Sequence, residues 1–172
     1  MALVVKEPYG VVVGIAPWNA ALILGFRAVC APVACGNTVV YATRFNLLTR
    51  FSLKASELSP GTHHFIGKIF RDAGFPPGVV NVIQHRREDA PGVVEQLIAH
   101  PATRKVNFTG STPVGSIIAK LCGQHLKPVL LELGGKAPQI VLEDADLQKA
   151  AQAAVAGAWA HVCLRHNSKL ML

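Results

Sequence analysis

Aromatic and charged side chains are scarce in this chain, at 6% and 16% of residues, and acids are outnumbered by bases, ten against seventeen. No apolar run reaches the roughly 18 residues that span a bilayer, and the N-terminus has no charged start, apolar run and cleavage site in succession. A soluble, cytoplasmic protein without a membrane partner is therefore expected. The basic residues are scattered and form no Lys/Arg cluster interleaved with aromatics, which argues against a nucleic-acid partner. A net charge of +7 instead suits a site for an anionic cofactor. Cys30, Cys35, Cys122 and Cys163 show no CxxC or Cys/His ligand spacing. They read as reduced structural thiols, Cys30 and Cys35 buried in an apolar helix, with no metal site expected.

What is abundant is small apolar residues. With 51% hydrophobic content over 172 residues, the chain can bury one domain-sized core. Continuous apolar runs predict strands covered on both faces at Tyr9 to Ala16, Thr38 to Val40, Val79 to Ile83, Lys105 to Thr109, Pro128 to Glu132 and Gln139 to Leu142. Between them, helical patterns run over Ala21 to Ala34 with Gly36-Asn37 as the stop, Thr62 to Ala73, Ala90 to Ala99 and Ser116 to Leu121, with a last one reaching about Ala160. In the second of these, Phe65, Ile66, Ile69 and Phe70 form the expected inner face, and His63 and His64 read as surface residues. The alternation predicts an α/β fold, a doubly wound, mostly parallel sheet with helices on both faces.

Leu131-Glu132-Leu133-Gly134-Gly135-Lys136-Ala137-Pro138 places one acid between two leucines. A poorly solvated carboxylate suits a general base, and the glycines permit a sharp turn and close approach; a strand-end acid with an ordinary turn fits too. Asn19, between strand and helix, is either an N-cap or an amide donor to a developing oxyanion. Lys54 and Glu57 either open a helix as solvated charges or bond ribose hydroxyls, the carboxylate repelling a 2′-phosphate. Gly110 to Gly115 reads GxxxxG at a strand-to-helix turn, an anion site or a packing device. Asp144 and Asp146 complement a helix dipole better than they make a metal site.

These segments resemble the NAD(P)-dependent aldehyde dehydrogenase family. The glutamate octapeptide, Pro17-Trp18-Asn19, Lys54-Ala55-Ser56-Glu57, Pro76-Pro77-Gly78-Val79-Val80-Asn81 and Phe108-Thr109-Gly110-Ser111-Thr112 stand in its order, with a leaning toward its salicylaldehyde and vanillin branch. The resemblance implies a Rossmann-like dinucleotide-binding domain over residues 1–160 and the oxidation of an aldehyde, aromatic on this likeness, to an acid. It implies Asn19 in the oxyanion hole, Glu132 as the base, and Pro17, Trp18, Lys54, Glu57, Gly110, Ser111, Gly115 and Leu133 around the cofactor. NAD is expected over NADP because of Glu57, and the family is usually homo-oligomeric.

Two stretches depart from the pattern. Tyr41 to Ser52 interrupts a strand that in the family runs straight into the Lys54 segment; it reads either as a tolerated loop or as a non-coding segment translated by mistake. In 161–172, the family's Gly-Gln-x-Cys is replaced by His161-Val-Cys-Leu-Arg-His, the nucleophile position falling near His166 and Cys163 lying early. The expectation is a piece of an aldehyde dehydrogenase that is inactive alone. The alternatives are a non-catalytic nucleotide-binding or interaction module and a gene-model fragment.

Overall fold

A computed structural model of the chain describes residues 3–37, 52–54, 56–135, 138–159 and 170–171. It divides into two compact units, Met1–Leu133 and Gly134–Leu172. The first is built from β1 (Val11–Ile15), α1 (Ala21–Ala34), β2 (Ser52–Lys54), α2 (Pro60–Asp72), β3 (Val82–Ile83), α3 (Ala90–Ala99), β4 (Thr103–Gly110), α4 (Thr112–Gln124) and β5 (Val129–Leu133). Its strands form one parallel sheet in the order β3-β2-β1-β4-β5.

That order follows from handedness. From β1 the chain steps outward through β2 to β3, then returns past β1 to place β4 on its other side. Right-handed crossovers therefore put α1 and α2 on one face and α3 and α4 on the other. Two cores result. Val12, Ala16 and Val82 of the sheet side pack with Ala28 and Val29 of α1 and Ile66 and Phe70 of α2. Val13, Ile15, Val106 and Phe108 pack with Val94 and Ile98 of α3 and Ile118 and Cys122 of α4. Alternation along β1 sends Val12 to one core and Val13 to the other, which is why that strand is apolar throughout.

Local signals set the helix limits. Gly36, at φ +74°, turns the chain beyond the last turn of α1, a conformation glycine adopts without the Cβ penalty. Buried Asn37 then accepts from the Gly10 N–H at 3.1 Å and donates to the Pro32 carbonyl at 3.0 Å, tying the end of α1 to the approach of β1. Pro60 occupies the first turn of α2, where its missing N–H costs nothing.

Several expectations are corrected. His63 is fully buried, not a surface residue, because the inner stripe of α2 is His63, Ile66 and Phe70. It lies against Gly25 of α1, whose absent Cβ makes room for the imidazole. Phe65, one position off that stripe, is exposed. Cys30 and Cys35 are exposed rather than buried, since α1 covers the sheet with Ala21, Gly25, Ala28 and Val29. Thr38 to Val40 and Tyr41 to Phe51 lie outside the described residues; the strand beside β1 is Ser52–Lys54, pairing Val13 with Ser52 and Ile15 with Lys54.

In the second unit, β6 (Gln139–Ile140) pairs in parallel with β7 (Leu170–Met171). Between them in sequence lies α5 (Leu147–Trp159). Asp146 precedes α5 and accepts from the N–H groups of Gln148 and Lys149, both at 3.1 Å. It is a helix cap, as the dipole argument expects. No described helix is long and apolar enough to cross a membrane.

Candidate cofactor and catalytic site

In an open parallel sheet, a crevice forms outside the carboxyl ends of the strands where the strand order reverses. Here that point lies between β1 and β4, and the sequence candidates gather on this edge. Pro17, Trp18 and Asn19 follow β1, Glu57 follows β2, Gly110 and Ser111 close β4 and lead into α4, and Glu132 and Leu133 end β5. Lys54 is the last residue of β2, and its side chain lies outside the described residues.

The cap of α1 is Ala20, with no side-chain capping bond. Asn19 is therefore not the N-cap; it sits one residue earlier, half-buried. The register Ile15, Phe108, Leu131 runs across β1, β4 and β5. Two strand spacings separate the ends of β1 and β5, roughly 10 Å, enough for a small carbonyl substrate between an amide on one side and a carboxylate on the other.

Glu132 corrects the expectation of a poorly solvated acid. Leu131 and Leu133 are its neighbours in sequence but point to the other side of the strand: Leu131 packs into the α3/α4 core, whereas Glu132 lies beside Thr109 on the α1 side. There the Arg27 guanidinium binds it, Nη2 to Oε1 at 2.9 Å, with both side chains about half exposed. The base candidate is a solvated, ion-paired carboxylate at the edge of the sheet. Arg27 is a partner the sequence reading missed, although it is the one charged residue in the α1 segment ALILGFRAVCAPVA.

At the β4 to α4 turn, Ser111 has an extended backbone and makes no capping bond with its hydroxyl. The first bond into the helix is from the Gly115 N–H to the Ser111 carbonyl, at 2.9 Å. The Thr112 and Val114 N–H groups of the first turn have no partner within the helix, and Pro113 has none to offer. A phosphate fits such an end. Both glycines of the motif also have packing reasons. A Cβ on Gly110 would stand 2.6 Å from the Phe108 ring, and one on Gly115 would run into the Leu133 side chain. Gly115 is buried and lets α4 close on β5.

Beyond the ends of β2 and β3, a cavity of about 390 Å³ is lined by Ser56, Glu57, Pro60, Gln84, His85 and Arg86. Gln84 donates to the Pro60 carbonyl at 3.0 Å, joining its two walls. Ser56, buried, accepts from the Leu58 N–H at 3.3 Å, which fixes the turn carrying Glu57. Arg86 forms a two-bonded fork with Asp89, at 2.9 and 3.2 Å. The guanidinium hydrogen bonds hold the Asp89 carboxyl below the usual carboxylate range, and Asp89 raises Arg86 in return. The sequence reading did not single out Gln84 to Asp89, whose place beside Glu57 depends on the pairing of β2 with β3.

A second cavity, of about 340 Å³, includes Phe70, Phe75, Asn81 and Val82 and opens at the amino end of β3. It is on the opposite edge from the crevice and has no part in the site. Among the described residues, no group of three His, Cys, Asp or Glu side chains is placed to hold a metal.

The aldehyde dehydrogenase family model matches residues 1–164. The chain belongs to the aldehyde dehydrogenase family. It is 60% identical over 158 residues to a vanillin dehydrogenase of Pseudomonas sp. and 57% identical to one of Pseudomonas fluorescens, each match covering 92% of this chain and 30% of the relative. Among solved structures, it is similar to a salicylaldehyde dehydrogenase from Pseudomonas putida complexed with salicylaldehyde, at TM-score 0.79 and 45% identity, covering 88% of this chain and 29% of that one. It is also similar to an NAD+ complex of an aldehyde dehydrogenase from Bacillus cereus, at TM-score 0.75 and 38% identity, covering 89% and 28%. The chain thus spans about 30% of the length of the relatives it matches.

Proposed function

We propose that this chain is the dinucleotide-binding part of an NAD-dependent aldehyde dehydrogenase that oxidises an aromatic aldehyde of the hydroxybenzaldehyde kind. The carrying observation is the convergence of Asn19, Ser111, Glu132 and the Glu57 cavity on one carboxyl edge of the sheet, around the β1/β4 reversal. The vanillin and salicylaldehyde relatives support the substrate class. A cytoplasmic location and a homo-oligomeric whole protein belong to the same proposal.

The residues fit a dinucleotide by their chemistry. Glu57 accepts from ribose hydroxyls and opposes a 2′-phosphate, so NAD is favoured over NADP. The Thr112 and Val114 N–H groups, with the Ser111 hydroxyl beside them, would hold the pyrophosphate. Bound NAD supplies the hydride acceptor. The Asn19 amide donates to the oxygen that gains charge as the carbonyl carbon becomes tetrahedral. Glu132 would take a proton from the water that attacks an acyl thioester formed on a cysteine supplied by the rest of the protein, the thiolate leaving as the acid is released. For this it must leave Arg27, and a half-exposed ion pair makes that step inexpensive.

Calorimetry with NAD and NADP tests the reading. NAD is expected to bind more tightly, and Glu57→Gln to narrow the difference; equal or tighter NADP binding by the unchanged chain rejects the cofactor assignment. A second reading, nucleotide binding without turnover, is favoured by the sequence of 161–172, where the family's cysteine motif is replaced. Stoichiometric NAD binding with no reduced cofactor formed from a panel of aliphatic and aromatic aldehydes supports that reading. Turnover abolished by Cys163→Ala rejects it.

A further inference from the structure

The end of α2 builds one wall of the cavity of about 340 Å³ at the amino end of β3. The Phe75 N–H donates to the Phe70 carbonyl at 3.1 Å and the Gly74 N–H to the Arg71 carbonyl at 3.0 Å, with Gly74 at φ +83°. That pair of bonds is a Schellman closure, which brings the residues at its two ends into apolar contact. The Phe70 and Phe75 rings accordingly meet edge to face, with centroids 5.1 Å apart, Phe70 buried and Phe75 39% exposed. The other wall is the turn of Pro76 to Val79, closed by the Val79 N–H on the Pro76 carbonyl at 3.2 Å. Pro77 and Gly78, the latter at φ +88°, take its second and third places as in a type II turn, and the Asn81 amide donates to the Gly78 carbonyl at 3.0 Å. Both walls are therefore set before any ligand arrives. Among the described residues that line the cavity there is no acid, whereas Lys68 and Arg71 both do so.

We propose that this cavity binds an aromatic carboxylate of one ring, with the ring against the phenylalanines and prolines and the carboxylate on Lys68 and Arg71. Its volume lies at the small end of the range of small-molecule sites, about 300–1,000 Å³, which suits a single ring. Aromatic walls favour a flat π-system over a saturated one of similar size. The cations have donors to spare: Lys68 gives one N–H to Asp72 Oδ2 at 3.0 Å and Arg71 gives its Nε to Oδ1 at 3.4 Å, which leaves the Arg71 Nη groups for a ligand carboxylate. The carboxyl end of the helix opposes an anion, which makes binding depend on both cations. Asp72 competes for the same donors and so limits the affinity. The ligand is of the class of acid that the proposed reaction forms, but the site stands on its own geometry, away from the crevice.

The test is titration of the full chain with benzoate, followed by the amide NMR shifts of Arg71, Phe75 and Gly78, with cyclohexanecarboxylate, benzyl alcohol and adenosine monophosphate as comparators. Benzoate is expected to move these amides with a Kd in the millimolar range usual for so small a ligand, and with the same Kd when NAD is present. Phe75→Leu, which keeps an apolar contact at the helix end, is expected to weaken benzoate about fivefold. The Lys68→Gln/Arg71→Gln double variant is expected to weaken it about tenfold, and Asp72→Asn to tighten it about threefold, the scale of exposed charge pairs. Thermal melts check that each variant is folded. No movement of these amides at tens of millimolar benzoate overturns the proposal, as does a Kd unchanged in the double variant. Equal affinity for benzyl alcohol or cyclohexanecarboxylate, or tighter binding of adenosine monophosphate at the same amides, overturns the ligand class and the proposal with it. Displacement of benzoate by NAD places it in the crevice and overturns the separate site.

Discussion

Arg27 on α1 and Glu132 on β5 are 105 positions apart in sequence and meet at 2.9 Å, with side-chain exposures of 55% and 43%. The contact arises because β5 presents Glu132 on the face covered by α1 while its leucine neighbours turn to the opposite core. The pair holds the carboxylate at the mouth of the crevice without removing it from water. An exposed pair of this kind is worth less than about 1 kcal/mol, and the base proposed for Glu132, which must move toward a substrate water, would benefit from so weak a tether.

A double-mutant cycle on Arg27→Gln and Glu132→Gln, followed by urea unfolding, is therefore expected to give a coupling energy under about 1 kcal/mol that shrinks further in high salt. A coupling above about 2 kcal/mol would mean a locked carboxylate and would count against Glu132 as a mobile base.

Much of this was legible in the sequence, and the failures share a cause. The limits of α1 at Ala21 and Ala34 and of α3 at Ala90 and Ala99 match the reading, because glycine, proline and apolar periodicity act locally. The parallel sheet followed from the alternation of elements. What the sequence hid was which face meets which. His63 looks like half of a polar surface pair until Gly25, on another helix, opens a notch for it. Glu132 looks desolvated by Leu131 and Leu133 only while the pleat is ignored. Arg27 acquires its role through a contact with Glu132 that no local pattern encodes.

Two helix glycines that face bulky neighbours, Gly25 and Gly115, are expected to behave differently. Alanine at either gains about 1 kcal/mol of helix propensity over glycine. At Gly25 the new methyl meets the ends of Ile66 and His63, both fully buried, so the strain cannot relax, and Gly25→Ala should destabilise by about 1–2 kcal/mol net. At Gly115 the obstacle is Leu133, 40% exposed and able to swing outward. Gly115→Ala should fall within about 1 kcal/mol of neutral. Urea melts of the two variants decide; equal losses would refute the argument from burial.

Asp146 carries a pH prediction for α5. The Lys149 backbone bond, followed by the Lys149 side chain, holds its carboxyl below the ordinary 3.8. A depressed folded-state value means that the stabilisation is complete above 3.8 and is lost as pH falls through the lowered value. Amide protection at Gln148 and Lys149 should be steady from neutral pH down to about 4 and drop below it, and Asp146→Ala should show the low-pH behaviour already at neutral pH. Protection that is unchanged in the variant would show the cap to be dispensable.

Deletion of Tyr41 to Ser52 tests the departure upstream of the proposed cofactor site. It joins Val40 to Leu53, so valine takes the place of Ser52 opposite Val13, while Leu53 and Lys54 keep their partners Gly14 and Ile15. Valine suits a strand covered on both faces better than serine does, a preference worth up to about 1 kcal/mol, and Thr38 and Val39 become available to lengthen β2. For a chain of this size that gain corresponds to a rise in Tm of about 2–4 °C. Because Ser56 and Glu57 lie downstream of the junction, and the Ser56 bond to Leu58 is local to that turn, NAD affinity should be kept in the shortened protein. A shortened form that melts no higher than the parent would identify the segment as a loop the fold tolerates, consistent with the slow growth of closure entropy with length.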